Sequence, residues 1–248
     1  MKLICNVLLL FILISCSQEE DKITIFLAGD STIAKKLESK RPETGWGEKF
    51  DLYFNQNVSI QNHAKNGRST RTFIEENRWE TIRDFLHPGD YVFIQFGHND
   101  QAKSKVDRYT PPADFVKNLE MFVSDVRDKK ANPVLITPVA RRRFDQHGQF
   151  YDSHKEYPDL VRSVAEKLSV EMIDLHKVSM DLLKELGEEN SKELFLWVAV
   201  GESPNYPEGK EDNTHFSPKG AEIIAGLVAT EIKKNGFGLK EYLLNQSN

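Results

Sequence analysis

The chain reads as an α/β fold, a three-layer sandwich around a central parallel sheet of five strands. Three observations carry that reading. Short apolar runs alternate with helical patterns from residue 23 onward. Several of the runs are rich in Val, Ile and Phe, as parallel strands buried on both faces are. No internal repeat, low-complexity segment or linker breaks the alternation, so residues 23–248 form one domain.

The elements follow in order. Ile23–Ala28 is the first strand, an apolar run that stops abruptly at Gly29, Asp30, Ser31 and Thr32. Gly47–Phe54 is a helical pattern, and Val58–Asn62 the second strand. Thr70–Leu86 is a long helical stretch leading to the third strand, Tyr91–Phe96. Ala113–Lys129 is helical and Val134–Thr137 is the fourth strand. Asp159–Leu168, Val170–Ile173 and Asp174–Leu186 read as helix, fifth strand and helix. The last helix, Pro218–Lys234, has Ser217 as its N-cap and Pro218 at its first position. Ile224, Leu227, Val228 and Ile232 recur on it at helical spacing, and Ile223 widens the apolar face.

The first residues are not part of that fold. Met1 and Lys2 precede a nearly unbroken apolar stretch, Leu3 to Ile14, too short for a comfortable membrane span. It ends in "LISC", which resembles a bacterial lipobox. The resemblance implies cleavage after residue 15 and lipid on Cys16, with residues 16–22 as an acidic tether. The alternative is an ordinary signal peptide with an incidental cysteine. Cleavage removes 15 of 248 residues and leaves 233, and loss of Lys2 takes the net charge from −5 to −6. Cys5 leaves with the leader and Cys16 is acylated, so the mature domain has no disulfide and its core must hold it alone. An acidic chain is a poor ligand for nucleic acid. With no second long apolar stretch, its only membrane contact is the lipid anchor. The localisation that follows is an exported lipoprotein of the outer membrane, on the periplasmic or the surface side. Oligomeric state is not written in the sequence.

In a doubly wound sheet, sites form at the carboxyl ends of the strands. The four tips carry "GDST", "HAKNGRST", "GHNDQ" and "PVARRRFD", and "EDNTHFSPKG" precedes the last helix. A serine hydroxyl needs a base to become a nucleophile, and the base needs a carboxylate to orient it. Ser31 at the first tip, and Asp212 with His215 three residues on, supply these parts. A developing oxyanion needs donors already in place, and the N–H of Ser31, the N–H of Gly67 and the amide of Asn99 supply them. Each part alone has a plain structural reading. Ser31 is equally a helix N-cap, Asp212 and His215 a capped loop, and Asn99 a turn residue.

Together, "GDST", "NGRST", "GHND" and "DNTH" resemble the four blocks of the SGNH hydrolases, the GDSL-type esterases. The blocks match Ser31, Gly67, Asn99 and His215 with Asp212, in the family's order and across nearly the whole mature chain. The first block reads "GDST" rather than "GDSL", at a position without a catalytic role. "QFGHNDQ", "TPVARRRFD" and "PNYPEGKEDNTHFSPKGA" are similar to the rhamnogalacturonan acetylesterase subfamily. The resemblance implies the SGNH-hydrolase, flavodoxin-like fold and removal of acetyl groups from pectic rhamnogalacturonan, polymer or oligosaccharide, with no metal or cofactor. The sequence has no HExxH, paired cysteines, GxGxxG, GxxxxGK or GxSxG pattern.

Arg141, Arg142 and Arg143 form one concentrated basic run at the fourth tip. They are expected to include a contact to a galacturonate carboxylate, against the plain reading of one buried ion pair and two solvated side chains. Trp46 is either a stacking platform for a sugar ring or a packing residue. His63, His87, His98, His147, His154 and His176 have no partner legible in the sequence. Two rival readings remain beside the pectin esterase. One is an esterase of the same fold acting on acetylxylan or another acyl ester. The other is a surface lipoprotein that binds glycans without turning them over.

Overall fold

The computed structural model describes residues 22–244. The expected leader 1–15, the lipidation at Cys16 and all but the last residue of the tether lie outside the described residues.

Five strands form one parallel sheet: β1 Ile23–Gly29, β2 Val58–Asn62, β3 Tyr91–Gln95, β4 Asn132–Ile136 and β5 Glu171–Ile173. Their order is β2-β1-β3-β4-β5, the flavodoxin-like arrangement. The unbroken apolar runs follow from burial on both faces. Ile25, Leu27, Phe93, Val134 and Ile136 point into one core layer. Phe26, Ala28, Val92, Ile94 and Leu135 point into the other.

Helices α1 Thr70–Glu75, α2 Arg78–Phe85, α3 Pro112–Asp128 and α4 Tyr157–Leu168 cover the second face through Phe73, Ile82, Phe122 and Val161. Helices α5 Leu175–Asn190 and α6 Pro218–Lys234 cover the first through Leu183, Ile224 and Val228. Ser217 caps α6 as expected, accepting from Gly220 N at 3.0 Å.

Four expectations change. The stretch 47–54 lies in two short 3-10 turns, Trp46–Glu48 and Phe50–Tyr53, and Gly45 and Gly47 pack so closely on Ile33 and Ala34 that a Cβ at either position would clash. The single helix 70–86 breaks in two at Asn77, whose φ of 57° is left-handed. The chain after β1 makes one hydrogen-bonded turn, not a helix, with Ala34 N donating to Asp30 O at 3.1 Å. Ser31 is therefore no helix N-cap. Finally, "FLWV" and "KEDNTHF" form an antiparallel hairpin, β6 Phe195–Val198 and β7 Lys210–Phe216.

That hairpin is irregular at the functional point. Phe195 lies opposite Phe216, yet Leu196 lies opposite Asp212. Asn213, Thr214 and His215 have no partner in the ladder and bulge out of it. Bulges re-aim side chains in this way.

β4 starts two residues before the expected Val134, at Asn132 and Pro133. Proline is tolerated there because β5 pairs only from Val134 onward, leaving the N–H side of position 133 open.

Candidate active site

All five strand tips face the same edge of the sheet. Between β1 and β3 the connection order reverses, and the cleft opens there. It measures about 800 Å³, and its walls include Ser31, Gly67, Asn99 and His215.

Ser31 Oγ lies 3.0 Å from His215 Nε2. His215 Nδ1 lies 2.9 Å from Asp212 Oδ2. Asp212 Oδ1 accepts from Thr214 N at 2.8 Å and His215 N at 3.0 Å, so the carboxylate closes the base of the bulge. Burial pushes the Asp212 carboxyl up, but the His215 ring and the two N–H groups outweigh it and hold it well below the usual carboxylate range. The charged carboxylate fixes the proton of the ring on Nδ1 and leaves Nε2 free to accept from Ser31.

The turn that carries Ser31 is held from several sides. Asp30 is buried and accepts from Thr32 N at 2.9 Å and Thr32 Oγ1 at 2.8 Å. Gln95 Nε2 donates to Thr32 Oγ1 at 2.7 Å, and Trp46 Nε1 donates to Gln95 Oε1 at 3.0 Å. Lys36 is buried, pairs with Glu43 at 2.8 Å, and donates from Nζ to the Ser31 carbonyl and to Asn66 Oδ1. That one ammonium ties the β1 tip to the β2 loop.

Gly67 has a φ of 79°, which favours glycine, and a Cβ there would lie 3.3 Å from Arg108 Nη1. Among the described residues, neither the Ser31 nor the Gly67 N–H donates to a protein acceptor. Asn99 Nδ2 donates to Arg68 O at 2.9 Å, which uses one of its two hydrogens. Asp100, also buried, accepts from Thr70 N at 2.9 Å and Gly97 N at 3.1 Å, and so pins the Asn99 loop to α1.

The structure separates the three arginines. Arg141 and Arg143 line the cleft. Arg141 is half-buried, donating to His98 O at 3.3 Å, whereas the Arg143 guanidinium has no protein partner among the described residues. Arg142 turns away and is 4% exposed. It donates to Glu188 O at 2.6 Å and Asn213 Oδ1 at 2.9 Å, and lies over the Trp197 ring. Its expected role as a substrate contact is corrected: it buttresses the back of the bulge. Trp46 is corrected as well. At 0% exposure it has no face for a sugar, and its indole is a pillar behind the nucleophile turn.

Arg108 and Lys105, which no motif marked, also line the cleft, as does Arg68 of the "NGRST" block. Counting them, the walls carry five Lys or Arg side chains against the two acids Glu76 and Asp107, a net of +3 on a chain of net −5.

One group of residues has metal-like spacing. The ligand atoms of Asp152, His154 and His176 lie within 4.8 Å of one another. Asp152 Oδ1 already accepts from His154 Nδ1 at 3.2 Å and His176 Nε2 at 3.0 Å. Beyond it, His176 Nδ1 faces the Arg162 guanidinium at 3.4 Å. A ligating histidine needs an acceptor on its second nitrogen, not a donor. The cluster is a hydrogen-bonded buttress and does not fit a metal.

The chain is similar over most of its length to known proteins. The profile of the GDSL-like lipase/acylhydrolase family matches residues 27–223. The rhamnogalacturonan acetylesterase RhgT of Bacillus subtilis (strain 168) is 44% identical over 224 residues, covering 90% of this chain and 95% of RhgT. The probable rhamnogalacturonan acetylesterase YesY of the same organism is 37% identical over 223 residues, covering 90% of this chain and 98% of YesY. The crystal structure of protein YxiM from Bacillus subtilis matches with a TM-score of 0.74 at 25% identity. That match covers 88% of this chain and 58% of YxiM, so the chain spans a little over half the length of that protein.

Proposed function

The chain belongs to the GDSL-like lipase/acylhydrolase family, and on that premise we propose that it is a serine acetylesterase acting on pectic rhamnogalacturonan. The observation that carries the reading is the Ser31–His215–Asp212 line at 3.0 Å and 2.9 Å, open to a cleft of net positive charge.

The reaction is acyl transfer. Ser31 Oγ attacks the carbonyl carbon of a sugar acetate while His215 Nε2 takes the hydroxyl proton. The oxyanion is received by the N–H groups of Ser31 and Gly67 and by the free hydrogen on Asn99 Nδ2. Collapse breaks the bond from the carbonyl carbon to the sugar oxygen. His215 gives that oxygen its proton, and the deacetylated sugar leaves. Water then repeats the sequence on acetyl-Ser31, releasing acetate and restoring the serine. Asp212 stays charged throughout and stabilises the imidazolium.

The cleft charge supports a uronate-containing polymer over neutral acetylxylan. Arg143, Arg108 and Lys105 present cations to the substrate, and a guanidinium grips a carboxylate in bidentate fashion. The intact triad supports turnover over glycan binding alone. Export as a lipoprotein acylated on Cys16 is part of the proposal and rests on the "LISC" pattern and the acidic residues that follow it.

The test is the ratio of kcat/KM on acetylated rhamnogalacturonan to that on acetylxylan, measured at low and high salt. The expected ratio is well above one and falls with salt, as screening weakens the carboxylate contacts. Arg143→Ala and Arg108→Ala should each raise KM on the pectic polymer and leave a small neutral acetyl ester unaffected. A ratio below one, indifferent to salt, overturns the pectin assignment and leaves the serine mechanism standing.

A further inference from the structure

His98 sits between two acceptors. Its Nε2 donates to Val139 O at 2.9 Å. Its Nδ1 lies 3.4 Å from Asp30 Oδ2. Both Nδ1 and Oδ2 are buried, and neither makes a hydrogen bond in the resting geometry. A neutral imidazole carries one proton and can serve only one of the two acceptors, leaving the other facing a bare lone pair. Only the doubly protonated ring serves both.

We propose that His98 is an imidazolium in the active enzyme, and that its second proton bridges to Asp30 and staples the nucleophile turn to the oxyanion loop. Asp30 immediately precedes Ser31, His98 immediately precedes Asn99, and Val139 follows β4. One ring therefore links three adjacent strand tips. His98 and Asp30 are positioning residues. They set the distance from the Ser31 hydroxyl to the Asn99 amide and touch no reacting atom. This role rests on the serine esterase reading above.

The surroundings work in both directions. Burial is the largest influence and takes the ring below its ordinary value, while Asp30 pulls it back only in part. Arg141, which donates to the His98 carbonyl, opposes the charge. The ring of His154 stacks on His98 with centroids 4.8 Å apart, and Asp152 and His176 lie behind it. Lys36 and Asp100 are the other charged groups acting on Asp30. Burial alone favours the neutral ring, but it raises the cost of leaving Asp30 Oδ2 or Val139 O bare by the same desolvation. Paired with a carboxylate that is itself buried, the imidazolium is the state that leaves no orphan.

The proposal gives His98 and His215 opposite proton requirements. His215 must lose its extra proton to act as base, whereas His98 must keep its own. Activity then has an acid limb from His215 and an alkaline limb from His98. Asp30→Asn separates them. The asparagine oxygen still accepts from Thr32, and its amide donates to a neutral His98 Nδ1, so the staple survives without the proton.

The direct experiment is ring 15N NMR of the full chain with labelled histidine, assigning His98 by its loss in His98→Gln. The expected result is two protonated ring nitrogens at pH 7, becoming one in Asp30→Asn. A single protonated nitrogen in the unaltered protein at pH 7 overturns the proposal, and this readout needs no substrate or active enzyme. The second arm is kcat against pH on a small acetyl ester. His98→Gln should lower kcat about 10- to 100-fold with little change in KM, the scale of a small misplacement of reacting groups. Asp30→Asn should lose the alkaline limb and keep the acid one. An alkaline limb that persists in folded Asp30→Asn overturns the positioning role even where the serine esterase reading holds.

Discussion

Arg142 donates from Nη1 to Asn213 Oδ1 at 2.9 Å, and its backbone N–H donates to Asn213 O at 2.9 Å. Asn213 is the first residue of the β7 bulge, between Asp212 and His215. The arginine therefore decides where the base stands, without reaching the cleft. Arg142→Ala should lower kcat and remove about 1–3 kcal/mol of stability, since the charge-assisted bonds to Glu188 O and Asn213 Oδ1 are lost and only the neutral donors Ser191 Oγ and Trp197 Nε1 remain on them. Arg142→Lys should recover only part of both, because an ammonium cannot reproduce the fork. A full-rate, fully stable Arg142→Ala enzyme contradicts this role, as does one whose only defect is a raised KM on the polymer.

Asn99→Ala removes one of three oxyanion donors. The expected loss is on the order of 10²–10³ in kcat. Circular dichroism and the melting transition should change little, because Asp100 still anchors the loop to Thr70 and Gly97. A loop that melts, with the remaining folded fraction at full specific activity, would make Asn99 a turn residue only.

Trp46→Phe distinguishes the pillar from a sugar platform. Losing the indole N–H leaves Gln95 Oε1 unpaired and slackens the Gln95–Thr32–Asp30 chain behind Ser31. Stability should fall by about 1–3 kcal/mol, with KM for the polymer unchanged. A selective rise in KM would restore the platform.

Buried His154 and Asp100 give the fold opposing responses to acid. Burial holds the His154 ring down at about 3, below its ordinary 6.5, so the unfolded chain takes up a proton that the native one refuses. That contribution lowers stability as pH falls from 6.5 toward 3. Burial raises Asp100 to about 6 from 3.8, so here the native state binds the extra proton, and stability rises as pH falls through 6 to 4. The two oppose each other between pH 6 and 4. Below that, Asp30 adds to the loss: burial pushes it up, but His98 and Thr32 outweigh burial and hold it at about 2. Asp100→Asn should therefore steepen the loss of urea midpoint between pH 6 and 4 relative to the unaltered protein. Parallel slopes would contradict the assignment, whatever the offset between the curves.

The sheet was legible because strands buried on both faces announce themselves as apolar runs, as in Phe26–Ala28 or Val92–Ile94. Ser31, Gly67, Asn99, Asp212 and His215 were legible only together: each alone has a plain structural reading, and it is the four blocks in the order of the SGNH family that single them out. The β6–β7 hairpin was not. Lys210 to His215 is polar with no alternation, and the bulge that makes it useful also breaks the period of two. The split between Arg142 and its neighbours was equally hidden. Three consecutive arginines look alike until the backbone turns one of them inward. Lys36 and His98 acquire their meaning only from groups brought to them by the fold, Ser31 O and Asn66 in one case, Asp30 and Val139 in the other.

The most direct measurement is acetate release from acetylated rhamnogalacturonan by the unaltered chain and by Ser31→Ala at equal folded concentration. The account predicts release by the first and a loss on the order of 10⁴-fold or more in the second, with an unchanged melting transition. Release at the full rate by folded Ser31→Ala would contradict it.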